Sequence, residues 1–130
     1  MLTHGPPYKI LDRTSRNGDV GCEHLLRAVQ RCRPRLHCFG HIHEGWGAQR
    51  RNWLEKTSKA YDLDAEHIIK NRSAHLDLTE KGQSPLRFGE ETVFVNAAIM
   101  TVGYEPRNAP WVVDLDLPLA EKSGRKEGPA

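Results

Sequence analysis

The chain has 130 residues, and its 19 Lys and Arg residues against 17 Asp and Glu give a formal net charge of +2. This length allows one hydrophobic core but not two, and the charge is too small to predict a membrane or a specific nucleic acid as partner. Three cysteines, with no N-terminal apolar run, spanning segment or cleavage-site pattern, favour free thiols and a cytoplasmic protein.

The first predicted elements are a strand end and a helix. His4-Gly5-Pro6-Pro7 is typical of the polar end of a buried strand, and a complete domain seldom begins so close to such a segment. Between Asp19 and Cys32, apolar side chains recur at the i, i+3, i+4, i+7 spacing of one helical face. Asp19 is the expected N-cap, and Pro34 is expected to end the helix.

The remaining elements are predicted from shorter patterns. In chain order they are a buried strand over 35–39, a largely surface insertion over 46–91 with a weak helix near 64–71, strands over 92–98 and 111–117, and a polar, disordered tail over 118–130. The order strand, helix, strand predicts the α/β fold class with a parallel sheet.

The strongest chemical signal is the pair His41 and His43, which follows a predicted strand and lies between glycines. Neutral imidazole is a ligand suited to Mn, Fe, Zn or Ni, although an isolated His-x-His is more often two ordinary loop residues. His4 also follows a predicted strand, and parallel strands end at one edge of a sheet. We therefore expect His4, His41 and His43 to converge, with imidazole nitrogens within about 7 Å of one another.

Other polar residues have weaker signals. A basic cluster of four arginines is most simply a solvated helix face, and four further histidines lie outside any motif and are assigned no function. These residues are Arg27, Arg31, Arg33 and Arg35, and His24, His37, His67 and His75.

A wider pattern surrounds the histidines. It consists of Thr3-His4-Gly5-Pro6-Pro7, Gly21-Cys22 at a helix start, the run from Arg33 to Gly45, the strand 92–98, and the segment 106–110. Together these segments resemble the later motifs of the calcineurin-like metallophosphoesterases. The most similar branch is the metallophosphoesterase-domain-containing group, with its brain-expressed vertebrate proteins and fungal relatives.

The resemblance implies that residues 1–117 form the C-terminal half of a four-layer α/β/β/α sandwich. It also implies hydrolysis of a phosphate-ester substrate, diester or monoester, by two divalent metal ions (Mn, Fe, Zn or Ni). His4 and His41 would bind the second ion and His43 the first. The family's early Asp-x-His, Gly-Asp and Gly-Asn-His motifs do not occur in this sequence, so no catalytic acid is assigned.

Charge limits what these histidines can do alone. Two divalent ions about 3.7 Å apart repel by roughly 18 kcal/mol at an effective dielectric near 20, and three neutral imidazoles contribute no negative charge to offset this. We expect the chain alone to bind at most one ion, loosely, and to show no phosphoesterase turnover, whereas a full-length parent would be active.

Two alternatives remain. The first is a non-catalytic fragment or interaction module, and a sheet edge left without its neighbours would then favour self-association. The second is a structural zinc site formed by Cys22, Cys32, Cys38 and His41. It is disfavoured because Cys22 and Cys32 would lie about 15 Å apart on one helix.

Overall fold

A computed structural model describes residues 1–120, within which there are two α-helices and eight β-strands. The helices are α1 (Glu23–Cys32) and α2 (Ala65–Asn71). The strands are β1 (Arg13–Thr14), β2 (Gly18–Asp19), β3 (Leu36–Phe39), β4 (Gly47–Asn52), β5 (Thr57–Ala60), β6 (Ala74–Asp77), β7 (Glu91–Asn96) and β8 (Trp111–Asp114). The predicted tail lies outside the described residues from residue 121 onward, and no described helix is long and apolar enough to cross a bilayer.

The main sheet has the strand order β3-β7-β4-β5. β3 is parallel to β7, whereas β4 is antiparallel to both of its neighbours, β7 and β5. Residues 1–4 run alongside β3, because Leu2 forms a parallel bridge with Cys38 and the Gly40 amide donates to the His4 carbonyl at 3.0 Å. The predicted parallel unit is therefore present, and His4 lies at the same sheet edge as the end of β3.

Helix α1 begins later than its sequence pattern suggested. The predicted N-cap, Asp19, lies in β2, and the N-cap is Cys22, whose Sγ accepts a hydrogen bond from the Leu25 amide at 3.4 Å. The late start of the helix has a tertiary cause. Cys22 forms a β-bridge with Pro7, which keeps the chain extended up to the first helical residue.

The C-terminal end of α1 agrees with the prediction. Arg33 adopts a left-handed conformation with φ of 44°, and its amide donates to the Val29 carbonyl at 2.7 Å. This is an αL cap, and Pro34 follows it and cannot extend the helix.

Two hydrophobic clusters lie on opposite faces of the main sheet. Phe94 of β7 packs with Val29 of α1 on one face, whereas Val93 and Val95 pack with Leu76 of β6 on the other. Alternate residues of a strand point to opposite faces, so one buried strand contributes to both clusters. The parallel pair β6-β8 thus forms a second sheet beneath the first. The α/β class is confirmed, with three successive layers: α1, the main sheet and the small sheet.

The segment 46–91, which was predicted to be a largely surface insertion, contributes two strands to the core of the fold. β4 is an internal strand of the main sheet in which Ala48 is buried, and β6 contributes Leu76 to the core. The charged residues that suggested a surface include Arg50, whose guanidinium is satisfied by Ser84, Tyr61 and a 3.2 Å ion pair with the buried Glu91. Residues 54–60, by contrast, are all exposed.

Candidate metal centre

His4 and His41 are in contact at the sheet edge. Nε2 of His4 lies 3.2 Å from Nδ1 of His41, and the ring centroids are 4.7 Å apart. Both side chains are exposed. Two nitrogens bound at 2.0–2.1 Å to a tetrahedral ion are about 3.3 Å apart, so this spacing fits two ligands of one ion.

His43 lies against a different part of the chain. Its Nδ1 is 3.0 Å from the Thr101 carbonyl, and its ring meets the Tyr104 ring edge-on at a centroid distance of 5.3 Å. A carbonyl can only accept, so Nδ1 carries the proton and Nε2 is the ring nitrogen left to bind a metal. Metal-binding histidines are commonly oriented by such a bond.

The structure therefore brings together two of the three predicted ligands, with His43 held separately by the loop around Thr101. Within residues 1–120, no three His, Cys, Asp or Glu side chains are grouped so as to hold a metal ion. The three cysteines of the zinc alternative are therefore not part of such a group, and they are free thiols. The assignment of His4, His41 and His43 as a ligand set stays a prediction.

The backbone at His41 is constrained in a way that directs its ring. His41 has a φ of 71°, in the left-handed region that side chains other than glycine rarely adopt. Ile42, the next residue, is 9% exposed, and its amide donates to the Gly40 carbonyl at 2.8 Å. A conformation of this kind costs about 1–3 kcal/mol and persists only where its surroundings enforce it.

Asn96 is the polar residue that fixes the backbone next to His41, and no role was predicted for it from the sequence. Its buried Nδ2 donates to the Leu11 carbonyl at 3.1 Å and to the Ile42 carbonyl at 2.9 Å, and its Oδ1 accepts from the Ala98 amide at 3.0 Å. Gly45 lies against the same contacts, and a Cβ there would collide with the Leu11 carbonyl. An Asn directly after the apolar residues 93–95 was the available signal, because a buried amide needs partners.

Asp12 secures the loop that follows His4. Its carboxylate is 2% exposed and accepts from the Lys9 amide at 2.8 Å and the Gly21 amide at 2.7 Å. Gly21 has no room for a Cβ, which would collide with the Pro7 carbonyl. The loop after His4 is thereby fastened to the segment that enters α1.

Strand β3, which leads into the loop that carries His41, contributes two uncharged side chains. Burial lowers the pKa of His37 from 6.5 to about 4, with a smaller effect from the positive amino terminus, so its imidazole is uncharged at neutral pH. Burial likewise raises the pKa of the Cys38 thiol. Neither group adds negative charge near His4 and His41. The spacing of the pair thus fits one borderline ion bound through two ring nitrogens, and within residues 1–120 no third His, Cys, Asp or Glu side chain is grouped with them.

Comparison with known proteins identifies relatives of the chain. The chain is 36% identical over 120 residues to the proteins named Metallophosphoesterase domain-containing protein 1 of Homo sapiens and Mus musculus, an alignment that covers 91% of this chain. The chain is a relative of the metallophosphoesterase-domain-containing proteins. The resemblance expected from its motifs is confirmed, and the chain spans about a quarter (25%) of the length of these relatives.

Shorter matches accompany these. A UPF0046 protein of Caenorhabditis elegans is 48% identical over 48 residues, which is 36% of this chain and 12% of that protein. A protein of Emericella nidulans named Probable rhamnogalacturonate lyase C is 41% identical over 70 residues, covering 51% of this chain and 6% of that protein. No family model matches the chain.

Proposed function

We propose that this chain contributes the metal-binding histidines of a metal-dependent phosphate-ester hydrolase. His4 and His41 would hold one ion and His43 the other. The observation that carries the proposal is the 3.2 Å separation of the His4 and His41 ring nitrogens, which matches two ligands on one ion. The relationship to metallophosphoesterase-domain-containing proteins supports the choice of reaction.

The residues of the chain have distinct roles in this proposal. His4 presents Nε2 and His41 presents Nδ1, while Asn96 holds the backbone that carries His41 and the Thr101 carbonyl orients His43. Divalent ions at such a centre lower the pKa of water and polarise phosphoryl oxygens. No general acid is assigned to this chain.

The proposed complete fold is a four-layer α/β/β/α sandwich in which residues 1–117 occupy the C-terminal half. Its support is the order of the three layers, with α1 on one face of the main sheet and β6-β8 on the other. A parallel pair of only two strands is unusual, because parallel sheets are normally covered and extended on both sides. The free edges of β6-β8 would then receive further strands.

The substrate class is a phosphodiester or a phosphomonoester, and carboxylates from outside this chain would offset the repulsion between two ions. Alone, the chain would bind at most one ion and would not turn over substrate. A second candidate is a non-catalytic interaction module that associates through an unpaired sheet edge. The lack of any three-ligand group within residues 1–120 favours it.

Activity of a longer protein tests the proposal. An N-terminal segment carrying the Asp-x-His, Gly-Asp and Gly-Asn-His motifs is joined to this chain, and hydrolysis of a bis-aryl phosphodiester is measured with added Mn. His41→Ala or His43→Ala should lower turnover about a hundredfold or more, because displacement of an ion by about 1 Å has that effect.

The control is His67→Ala on the exposed helix α2, which should leave turnover unchanged. The 130-residue chain alone should remain at background. Full activity in both ligand variants would overturn the assignment, and strong turnover by the short chain would show that the missing carboxylates are not required.

A further inference from the structure

His37 is completely buried, yet it contacts the residue that precedes a predicted ligand. Its Nε2 lies 2.8 Å from the Thr3 hydroxyl oxygen, and that hydroxyl donates to the Gly5 carbonyl at 2.9 Å. The single hydroxyl hydrogen of Thr3 is thus committed to Gly5. His37 must therefore donate from Nε2, and its Nδ1 keeps a lone pair.

That lone pair is left without a partner. Nδ1 of His37 is buried and has no hydrogen-bond partner among residues 1–120. The surroundings are apolar and aromatic, with Phe39 at 5.2 Å and Phe94 at 5.7 Å between ring centroids. A phenylalanine would fill this position without an unsatisfied nitrogen. What the imidazole adds is the hydrogen bond to Thr3.

The bond to Thr3 acts on the turn that carries His4. The backbone of this segment is already aligned with β3, because the Thr3 amide donates to the Cys38 carbonyl at 3.1 Å. Backbone pairing continues to His4, whose carbonyl accepts from the Gly40 amide at 3.0 Å, whereas the Gly5 carbonyl is held by the Thr3 side chain. The hydrogen bonds from His37 to Thr3 and from Thr3 to Gly5 close that turn around His4.

We propose that His37 and Thr3 form a positioning pair that closes the turn around His4 and so sets the distance between His4 Nε2 and His41 Nδ1. Neither residue touches the ion or the substrate. That this pair supports a metal ligand rests on the proposed function, whereas its control of the distance between the two ring nitrogens does not. The low pKa of His37 agrees with a neutral ring that donates from one nitrogen only.

Zinc affinity tests the pair in the 130-residue chain. Competition with a chromophoric chelator should show one weak Zn²⁺ site in the wild type. His37→Phe and Thr3→Val should each weaken it about tenfold or more, as loss of residues behind metal ligands commonly does. The double variant should be no weaker than the worse single variant, because both changes break one chain of contacts.

Three control variants separate positioning from stability. His37→Gln keeps a side-chain donor and should retain affinity within about threefold of the wild type. His67→Gln and Thr57→Val change exposed residues away from the site and should leave affinity unchanged. His37→Phe removes the unpartnered nitrogen, so its melting temperature should be unchanged or higher while its affinity falls. Equal Zn²⁺ affinity in the wild type, His37→Phe and Thr3→Val would overturn the proposal and leave the proposed function standing.

Ring-nitrogen NMR tests the geometry without metal. His37 should show the neutral Nε2–H tautomer at pH 7, and the His4 and His41 rings should show a mutual nuclear Overhauser effect that is lost in Thr3→Val. An Nδ1–H tautomer, or an effect that persists in Thr3→Val, would overturn the positioning pair. Absence of Zn²⁺ binding by the wild type, with the NMR results as expected, would instead count against the ligand assignment alone. If His37→Phe fails to fold, Thr3→Val and His37→Gln still decide the question.

Discussion

In two regions of the molecule, burial and regular secondary structure do not go together. The loops 5–12 and 40–45 contain no regular element beyond one 3-10 turn, yet they bury Ile10, Asp12 and Ile42. The segment 54–72 contains β5 and α2, yet none of its residues is buried. Regular structure is therefore a poor guide here to where the chain is most constrained.

The difference lies in how backbone groups find partners. In the two loops, the Asn96 side chain donates to the Leu11 and Ile42 carbonyls, 85 and 54 residues away in the chain, and Leu11 and His41 have φ values of 50° and 71°. In α2 the bonds are local, and its N-cap Asp64 is the main side-chain contribution. Changes in the loops should act on the whole fold, whereas changes in 54–72 should act locally.

The largest effect is expected for Gly45→Ala. The new Cβ would collide with the Leu11 carbonyl and would lie within 2.7 Å of Asn96 Nδ2, so the two loops must separate. We expect a loss of about 3 kcal/mol or more in the free energy of unfolding, measured by urea titration.

Gly103→Ala is the matched control, since its Cβ would meet only Thr101 Oγ1 at an ordinary 3.8 Å. It should change stability by less than about 0.5 kcal/mol. Similar losses in both variants would show that the interlocking of the loops has no special importance.

An acid-dependent loss of stability is expected from His37. Its pKa is lowered in the folded state from 6.5 to about 4, because the buried ring disfavours the charged form. The contribution of the neutral ring to the free energy of unfolding is therefore complete above pH 6.5, and it is lost as pH falls toward 4. This amounts to up to about 3 kcal/mol. The free energy of unfolding should fall more steeply over this range in the wild type than in His37→Phe, and parallel pH profiles would contradict the prediction.

The smallest effect is expected for Asp64→Ala in the exposed region. The change removes the carboxylate that accepts from the Glu66 and His67 amides at 3.0 and 3.2 Å, which should destabilise α2 by about 1 kcal/mol. Hydrogen exchange should accelerate in α2 while the global free energy of unfolding changes by less than about 0.5 kcal/mol. Asp62→Ala is the control and should leave both hydrogen exchange in α2 and the free energy of unfolding unchanged. A large loss of global free energy of unfolding in Asp64→Ala would show that α2 is integral to the core.

Local patterns predicted several elements correctly. The apolar spacing before Cys32 predicted α1, and the apolar run and alternation near the end of the chain predicted β7 and β8. The weak helical pattern near 64–71 corresponds to α2. These predictions succeeded because helix and strand periodicity depend on neighbouring residues. The internal strand β4 was missed, because the charge of Arg50 is neutralised by Glu91, 41 residues away.

The sequence by itself determined the α/β class, the family resemblance of its motifs, and the presence of imidazoles in two loops that follow extended segments. Only the tertiary structure decided that His4 and His41 lie 3.2 Å apart and that His43 instead bonds to Thr101. It also decided that Asn96 ties together two loops separated widely in sequence. Periodicity is encoded between neighbours, whereas a hydrogen bond across 37 or 85 residues forms only when the whole fold brings its two groups together.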